Sequence, residues 1–163
     1  MRLPALIAAF ALSAALPVVA LAQTPATANG VTVDQARTWL IGLGGVVAEP
    51  EPAQGRTILR IADTLPWTLS FYACTDLCDD AQFAASFTGP ITESQVSAWN
   101  RENRFAKAVW IAPSMNGGDA TVLLQYDLIL TETGPDQLED AAAIWLQQLR
   151  AFTASLAEQS AAR

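Results

Sequence analysis

The sequence predicts one α+β domain, an antiparallel sheet of about five strands with helices packed on it. Three observations lead there. Short apolar stretches alternate with period two between turn residues. Helical runs with apolar residues three and four apart stand near both ends of the chain, and nothing repeats internally. The expected element order is α-β-β-β-α-α-β-β-α.

The chain opens on Met1 and Arg2, a minimal positive start, followed by a nearly unbroken apolar run over residues 3–19. Ala20-Leu21-Ala22 then offers a small-x-small cleavage site, with Pro17 upstream favouring the cut. Residues 1–22 therefore read as a signal peptide cleaved after Ala22, which places the chain in the periplasm or outside the cell. The competing reading is a retained membrane anchor, because the run is about as long as the shortest spans, roughly 17 residues. No cysteine stands at the cut, so lipid anchoring is not indicated. Cleavage would leave a mature chain of roughly 140 residues, suited to one core. All 16 Asp and Glu lie beyond residue 22, and the whole chain carries a net charge of −7. Such a chain is repelled by nucleic acid and by anionic lipid, so the expected partner is a protein, with no membrane association after cleavage.

Residues 23–30, rich in Thr, Ala and Pro, read as a flexible lead, residues 31–157 as the domain and residues 158–163 as a C-terminal tail. The first helix, residues 33–43, has a capping box in Thr32 and Gln35 and a staple from Val31 to Ala36. Ala36, Trp39, Leu40 and Leu43 form its inner stripe until Gly44-Gly45 stops it. Strands come next at residues 46–48 and 57–62, separated by a loop with two prolines. A turn at residues 63–66 feeds the strand 67–73, with Trp67, Leu69, Phe71 and Ala73 on one face and Thr68, Ser70, Tyr72 and Cys74 on the other. These three strands are expected to form an antiparallel meander.

After Cys74, Thr75 and Asp76 offer a cap for a helix over residues 77–87, with Asp79 and Asp80 in its first turn and Phe83 and Phe87 four apart. A further helix, capped by Thr92 or Ser94, turns Val96 and Trp99 inward. Residues 105–112 read as a strand, residues 115–119 as a hairpin loop, and residues 121–131 as a long apolar strand covered on both sides or central in its sheet. From Pro135, the residues Leu138, Ala142, Trp145, Leu149, Phe152 and Leu156 form one continuous helical stripe that must lie on the sheet or on a partner.

Cys74 and Cys78 are the two cysteines of the chain. They straddle what reads as a strand-to-helix corner, and an exported compartment favours a structural disulfide that fixes its angle. A thioredoxin-like site wants two intervening residues rather than three, and the neighbouring carboxylates raise a thiol pKa. A redox-labile disulfide and free thiols are the alternatives. Two cysteines without any histidine cannot supply the usual zinc set, so no metal is expected. Catalysis is not expected either: histidine, a Gly-rich phosphate loop and a serine-nucleophile motif are all missing, and Asp79 and Asp80 are adjacent rather than facing. No cofactor is implied.

Phe71-Tyr72-Ala73-Cys74 with Cys78, then Val96-Ser97-Ala98-Trp99-Asn100, then Arg104-Phe105-Ala106-Lys107-Ala108 and a final Trp/Phe-bearing helix resemble the YbjN family. Its members are described as putative bacterial sensory transduction regulators. The resemblance implies a fold similar to type III secretion chaperones, often dimeric, and no established catalytic residues. An exported member departs from cytoplasmic ones, which argues against a transcription-linked role. Trp99, Asn100 and Phe105 carry the strongest part of the resemblance. Trp99 is expected in the core, and Asn100 is expected to satisfy backbone groups where helix meets strand.

Arg101, Arg104 and Lys107 form the basic cluster of an acidic chain. They are a candidate partner surface, weighed against a solvated face paired with Glu102 or with the acids at residues 76–80. The preferred function is a non-enzymatic periplasmic interaction or regulatory module, using the sheet face or the final helix. A chaperone-like binder of exported proteins and a hydrolase or oxidoreductase with unrecognised chemistry are the alternatives. Redox switching at the cysteine corner is a third possibility.

Overall fold

The structure, a computed structural model, describes residues 29–72, 74–115 and 117–161. The expected signal peptide and Ala73 lie outside the described residues. Helix α1 (Val33–Gly42) carries the expected capping box: Gln35 N–H donates to Thr32 Oγ1 and Thr32 N–H to Gln35 Oε1. Its end is tied off by N–H groups of Gly44 and Gly45 on the carbonyls of Ile41 and Leu40, with Gly44 at a φ of 89° that a side chain would resist.

Seven strands succeed one another around two more helices. They are β1 (Val46–Val47), β2 (Glu51–Ala53), β3 (Arg56–Ala62), β4 (Trp67–Tyr72), β5 (Asp80–Gly89), β6 (Lys107–Ile111) and β7 (Ala120–Ile129). Helix α2 (Glu93–Glu102) joins β5 to β6, and a 3-10 turn (Pro135–Leu138) leads into α3 (Glu139–Ala161). The α2 cap is Thr92, paired reciprocally with Gln95. The sheet order is β1-β3-β4-β5-β7-β6, with β2 also on β3, and every pairing between named strands is antiparallel. The fold is therefore α+β with one antiparallel sheet and three helices.

The element order needs one correction. Residues 80–89, expected within a helix, form the central strand β5, paired to β4 on one side and to β7 on the other. The spacing of Phe83 and Phe87 misled, because four residues is close to one helical turn and is also two strand periods. Ala81, Phe83 and Ala85 are buried on one face, while Gln82, Ala84 and Ser86 alternate onto the other. Pairing on both sides overrides the helix propensity of an alanine-rich stretch. The strands number seven rather than five, since 51–53 in the proline loop also pairs.

One face of the sheet holds the core. Leu59, Ile61, Trp67, Leu69, Phe71, Phe83 and Leu124 are buried there against the helices. Trp145 of α3 stacks on Phe83 at 5.8 Å and meets Trp67 edge-on at 6.4 Å, while Phe152 meets Phe87 at 5.1 Å and Trp99 at 5.0 Å. Aromatic pairs of this kind add about 0.5–1.5 kcal/mol each beyond their burial. The stripe read from the sequence is the one α3 buries: Leu138 ahead of it, then Ala142, Trp145, Leu149 and Phe152. The flanks of the domain are tied to its body: Gly30 N–H donates to Glu132 O and bridges Thr133, and α3 continues into the expected tail as far as Ala161.

Candidate functional site

The second face of the sheet is covered by no described helix, and strand alternation puts a different set of side chains on it. Register places Arg56, Ile58 and Arg60 of β3 opposite Tyr72, Ser70 and Thr68 of β4, and these continue into Asp80, Gln82 and Ala84 of β5. Ile129, Asp127 and Gln125 of β7 carry these rows onward, and Leu123 pairs with Ser86 one row further. A polar chain crosses four strands here. Arg56 Nη1 donates to the Tyr72 hydroxyl (3.1 Å), which donates to Gln82 Oε1 (3.3 Å). Gln82 Nε2 donates to Asp127 Oδ1 (2.6 Å), and Gln125 Nε2 donates to Gln82 Oε1 (3.2 Å). Ile58 and Ser70, directly paired and flanked by these groups, are buried at 6% and 4% exposure.

Beside this strip the face is apolar. Val46, Val109 and Ile111 are exposed large hydrophobics, and with Ala62 and Leu123 they occupy the end of the sheet away from Arg56. Between the two regions lies a groove of about 660 Å³. Ile58, Ala62, Ala84 and Leu123 line it, as do Arg56, Arg60, Ser70 and Gln82. Arg60 is paired through Nε with Glu51 Oε2 at 2.8 Å. That hydrogen bond, and then the charge behind it, hold the Glu51 carboxyl below its usual range and raise Arg60. Such a pair is an exposed surface contact rather than a matched acid and base.

The sequence-derived candidates fall elsewhere. Trp99 Nε1 donates to Ala106 O (3.1 Å) from a buried ring. Asn100 Nδ2 donates to Ala108 O and Ala108 N–H donates to Asn100 Oδ1, both at 2.8 Å, so these two side chains lock α2 along the outer edge of β6. Lys107 Nζ donates to Asn100 O (2.9 Å) and to Asn103 O, a cation on the last carbonyls of α2. The basic cluster is thus divided. Lys107 is committed to the helix end, Arg104 lies 5.5 Å from the Phe105 ring centre, and Arg101 is exposed. None of the three pairs with Glu102 or with residues 76–80. The half-exposed Phe105 meets Tyr126 edge-on at 6.4 Å.

Cys74 and Cys78 are joined by a disulfide with Cα atoms 4.2 Å apart. The corner it holds runs from β4 to β5, strand to strand rather than strand to helix, and so Thr75 and Asp76 cap no helix. Cys78 is also paired by its backbone to Val31, N–H to O at 2.9 Å and O from N–H at 3.0 Å. The disulfide loop is therefore docked beside the start of α1.

The model of the YbjN family, described as "Putative bacterial sensory transduction regulator", matches residues 32–158. The chain belongs to the YbjN family. A solved structure of YbjN from E. coli, titled a putative transcription regulator, aligns with a TM-score of 0.56 at 15% identity, over 78% of this chain and 93% of that one. At that identity the likeness carries the fold alone. No curated protein matches the chain. Trp99 and Asn100, expected from the sequence resemblance, belong to the lock between α2 and β6.

Sequence patterns do not point to the groove of this YbjN-family chain, because its residues come from β3, β4, β5 and β7 and meet only through register. The one available signal was the polar alternation Thr68, Ser70, Tyr72 opposite the buried face of β4.

Proposed function

We propose that this YbjN-family chain is a non-enzymatic regulatory module, exported to the periplasm by cleavage after Ala22, that acts by binding an occupant on the uncovered face of its sheet. The observation that carries the reading is the groove of about 660 Å³ on that face, flanked by exposed Val46, Val109 and Ile111. The volume lies in the range of binding clefts, about 300–1,000 Å³. A sheet face given over to solvent alone would be polar along its whole length. The family description, a sensory transduction regulator, agrees with binding rather than turnover. Among the described residues, no group of three His, Cys, Asp or Glu is placed to hold a metal ion.

The test is site-specific photo-crosslinking in the cell, from Ala84 on the groove floor and from Arg150 on the exposed side of α3. Intact mass of the recovered protein reports adducts of any size. The expected result is an adduct from position 84 and none from position 150, on a chain that begins at Gln23. Equal labelling from both positions, or none from position 84, rejects the open face as the binding surface. A chain retaining residues 1–22 rejects cleavage.

A further inference from the structure

We propose that the occupant of this groove is a free single-chain amphiphile with an anionic head, a long-chain carboxylate, whose head is held by Arg56. The proposal deepens the binding reading above and rests on it.

Charge selects the head. Two arginines stand on β3 within the groove of a chain whose net charge is −7. Arg60 is already neutralised by Glu51. Arg56 is not: its guanidinium donates to the neutral Tyr72 hydroxyl and lies 5.8 Å from that ring's centre, and it ion-pairs with no described carboxylate. An unneutralised guanidinium at the end of a groove of mixed lining is complementary to one carboxylate, which it can engage through two parallel N–H donors.

The floor selects the tail. Strands β3, β4, β5 and β7 are each paired on both sides, so the floor offers no free backbone donors or acceptors to an extended peptide. An occupant without backbone amides meets no such demand. From Arg56 to Ala62 the groove follows β3 for about 20 Å, at roughly 3.3 Å per residue, past Ile58 and the Glu51-paired Arg60 and alongside Ala84 and Leu123. That length takes an alkyl chain extended from a head at Arg56 toward Val46. The acidity of the whole molecule opposes docking on an anionic bilayer, which favours a free amphiphile over a headgroup in a membrane.

The experiment is calorimetric titration of the intact disulfide-bonded protein, in the form the cell accumulates, with dodecanoate, decanoate, octanoate and dodecyltrimethylammonium below their micelle concentrations. Dodecanoate is expected to bind saturably at one site, with affinity falling about four-fold for each methylene removed. The cationic amphiphile is expected to bind at least ten-fold more weakly. Arg56→Gln, at an exposed position, should lower dodecanoate affinity about ten-fold and leave the melting temperature unchanged. Leu123→Asp, which puts a carboxylate into the floor, should abolish binding. Equal affinity for both headgroups, no dependence on chain length, or full affinity in Arg56→Gln would each overturn the proposal. If dodecanoate fails while position 84 crosslinks a protein, the occupant is a partner such as a helix and only this inference falls. If position 84 captures nothing, the open-face reading falls with it.

Discussion

The side-chain amide of Asn100 and the backbone of Ala108 form a closed pair of hydrogen bonds, Nδ2 to carbonyl and N–H to Oδ1, each 2.8 Å long. The amide occupies the place of a neighbouring strand on the outer side of β6, an edge strand that pairs only with β7. At Ala108 the edge therefore offers a second chain no free backbone pair.

Asn100→Ala should therefore do two things. It removes two half-buried hydrogen bonds and leaves a backbone donor and acceptor unmet, a loss of about 2–3 kcal/mol in urea denaturation. It also uncovers the edge, so self-association should rise in sedimentation or size-exclusion runs. Asn100→Asp keeps the acceptor for the Ala108 N–H but sets a carboxylate oxygen against the Ala108 carbonyl. It should be at least as damaging at neutral pH and recover partly once the carboxylate protonates, below about pH 4.

Reducing the disulfide should lower stability by about 2 kcal/mol, the chain-entropy value for so short a loop, read as a shift in denaturation midpoint with and without a phosphine reductant. The two serine variants should differ. Cys74 is exposed and Cys78 is 2% exposed, so Cys78→Ser buries a hydroxyl as well and should be the more destabilising of the two. Equal losses would mean that Cys78 does not contribute to the core beyond its bond.

Gly30→Ala should be costly despite the small change. Gly30 has a φ of 118°, and an added Cβ would lie 2.4 Å from the Cys78 carbonyl oxygen. The backbone at Cys78 is itself bonded to Val31, so it has little room to yield. A loss of about 1–3 kcal/mol is expected from the strain, measured by thermal or urea unfolding. Gly55→Ala is the comparison: its φ of 80° is also positive, but nothing lies within 4 Å of the added atom, so its loss should be smaller.

The pair of Glu51 and Arg60 should make a small, salt-sensitive contribution with a definite pH window. The Glu51 carboxyl is lowered from 4.5 in the folded protein, so its stabilisation is present above that unfolded value and is lost as pH falls through the lowered one. The stability gap between wild type and Glu51→Gln should therefore exist at neutral pH, close as the solution is acidified and shrink in high salt. A gap that widened on acidification would contradict the pair.

Local signals in this chain were readable where one element carries its own instructions. Thr32 with Gln35 announces α1, and the stripe from Leu138 to Phe152 announces α3, because capping and helical periodicity involve residues a few positions apart. The stretch 80–89 was not readable in that way. Phe83 and Phe87 satisfy both periods, and the decision was made by Leu69 and Tyr126, which flank Phe83 from the two neighbouring strands. The same distance hides the groove, whose Ile58, Ser70 and Gln82 come together only once the register is set. Asn100 lies between these cases: a helix with a strand close behind it leaves a polar residue at the junction to bond backbone, and it does so with Ala108.

The placement of β7 bears on how the molecule is made. It pairs with β5 from Gly89–Ala120 to Asp80–Ile129, and it lies between β5 and β6, both of which precede it in the chain. Strands β3, β4 and β5 can find one another early through short turns, but their sheet keeps an unfilled side until Ile129 has been delivered. A nascent chain halted anywhere before that point has no route to the finished core, and its folding rate is governed by a late, long-range closure.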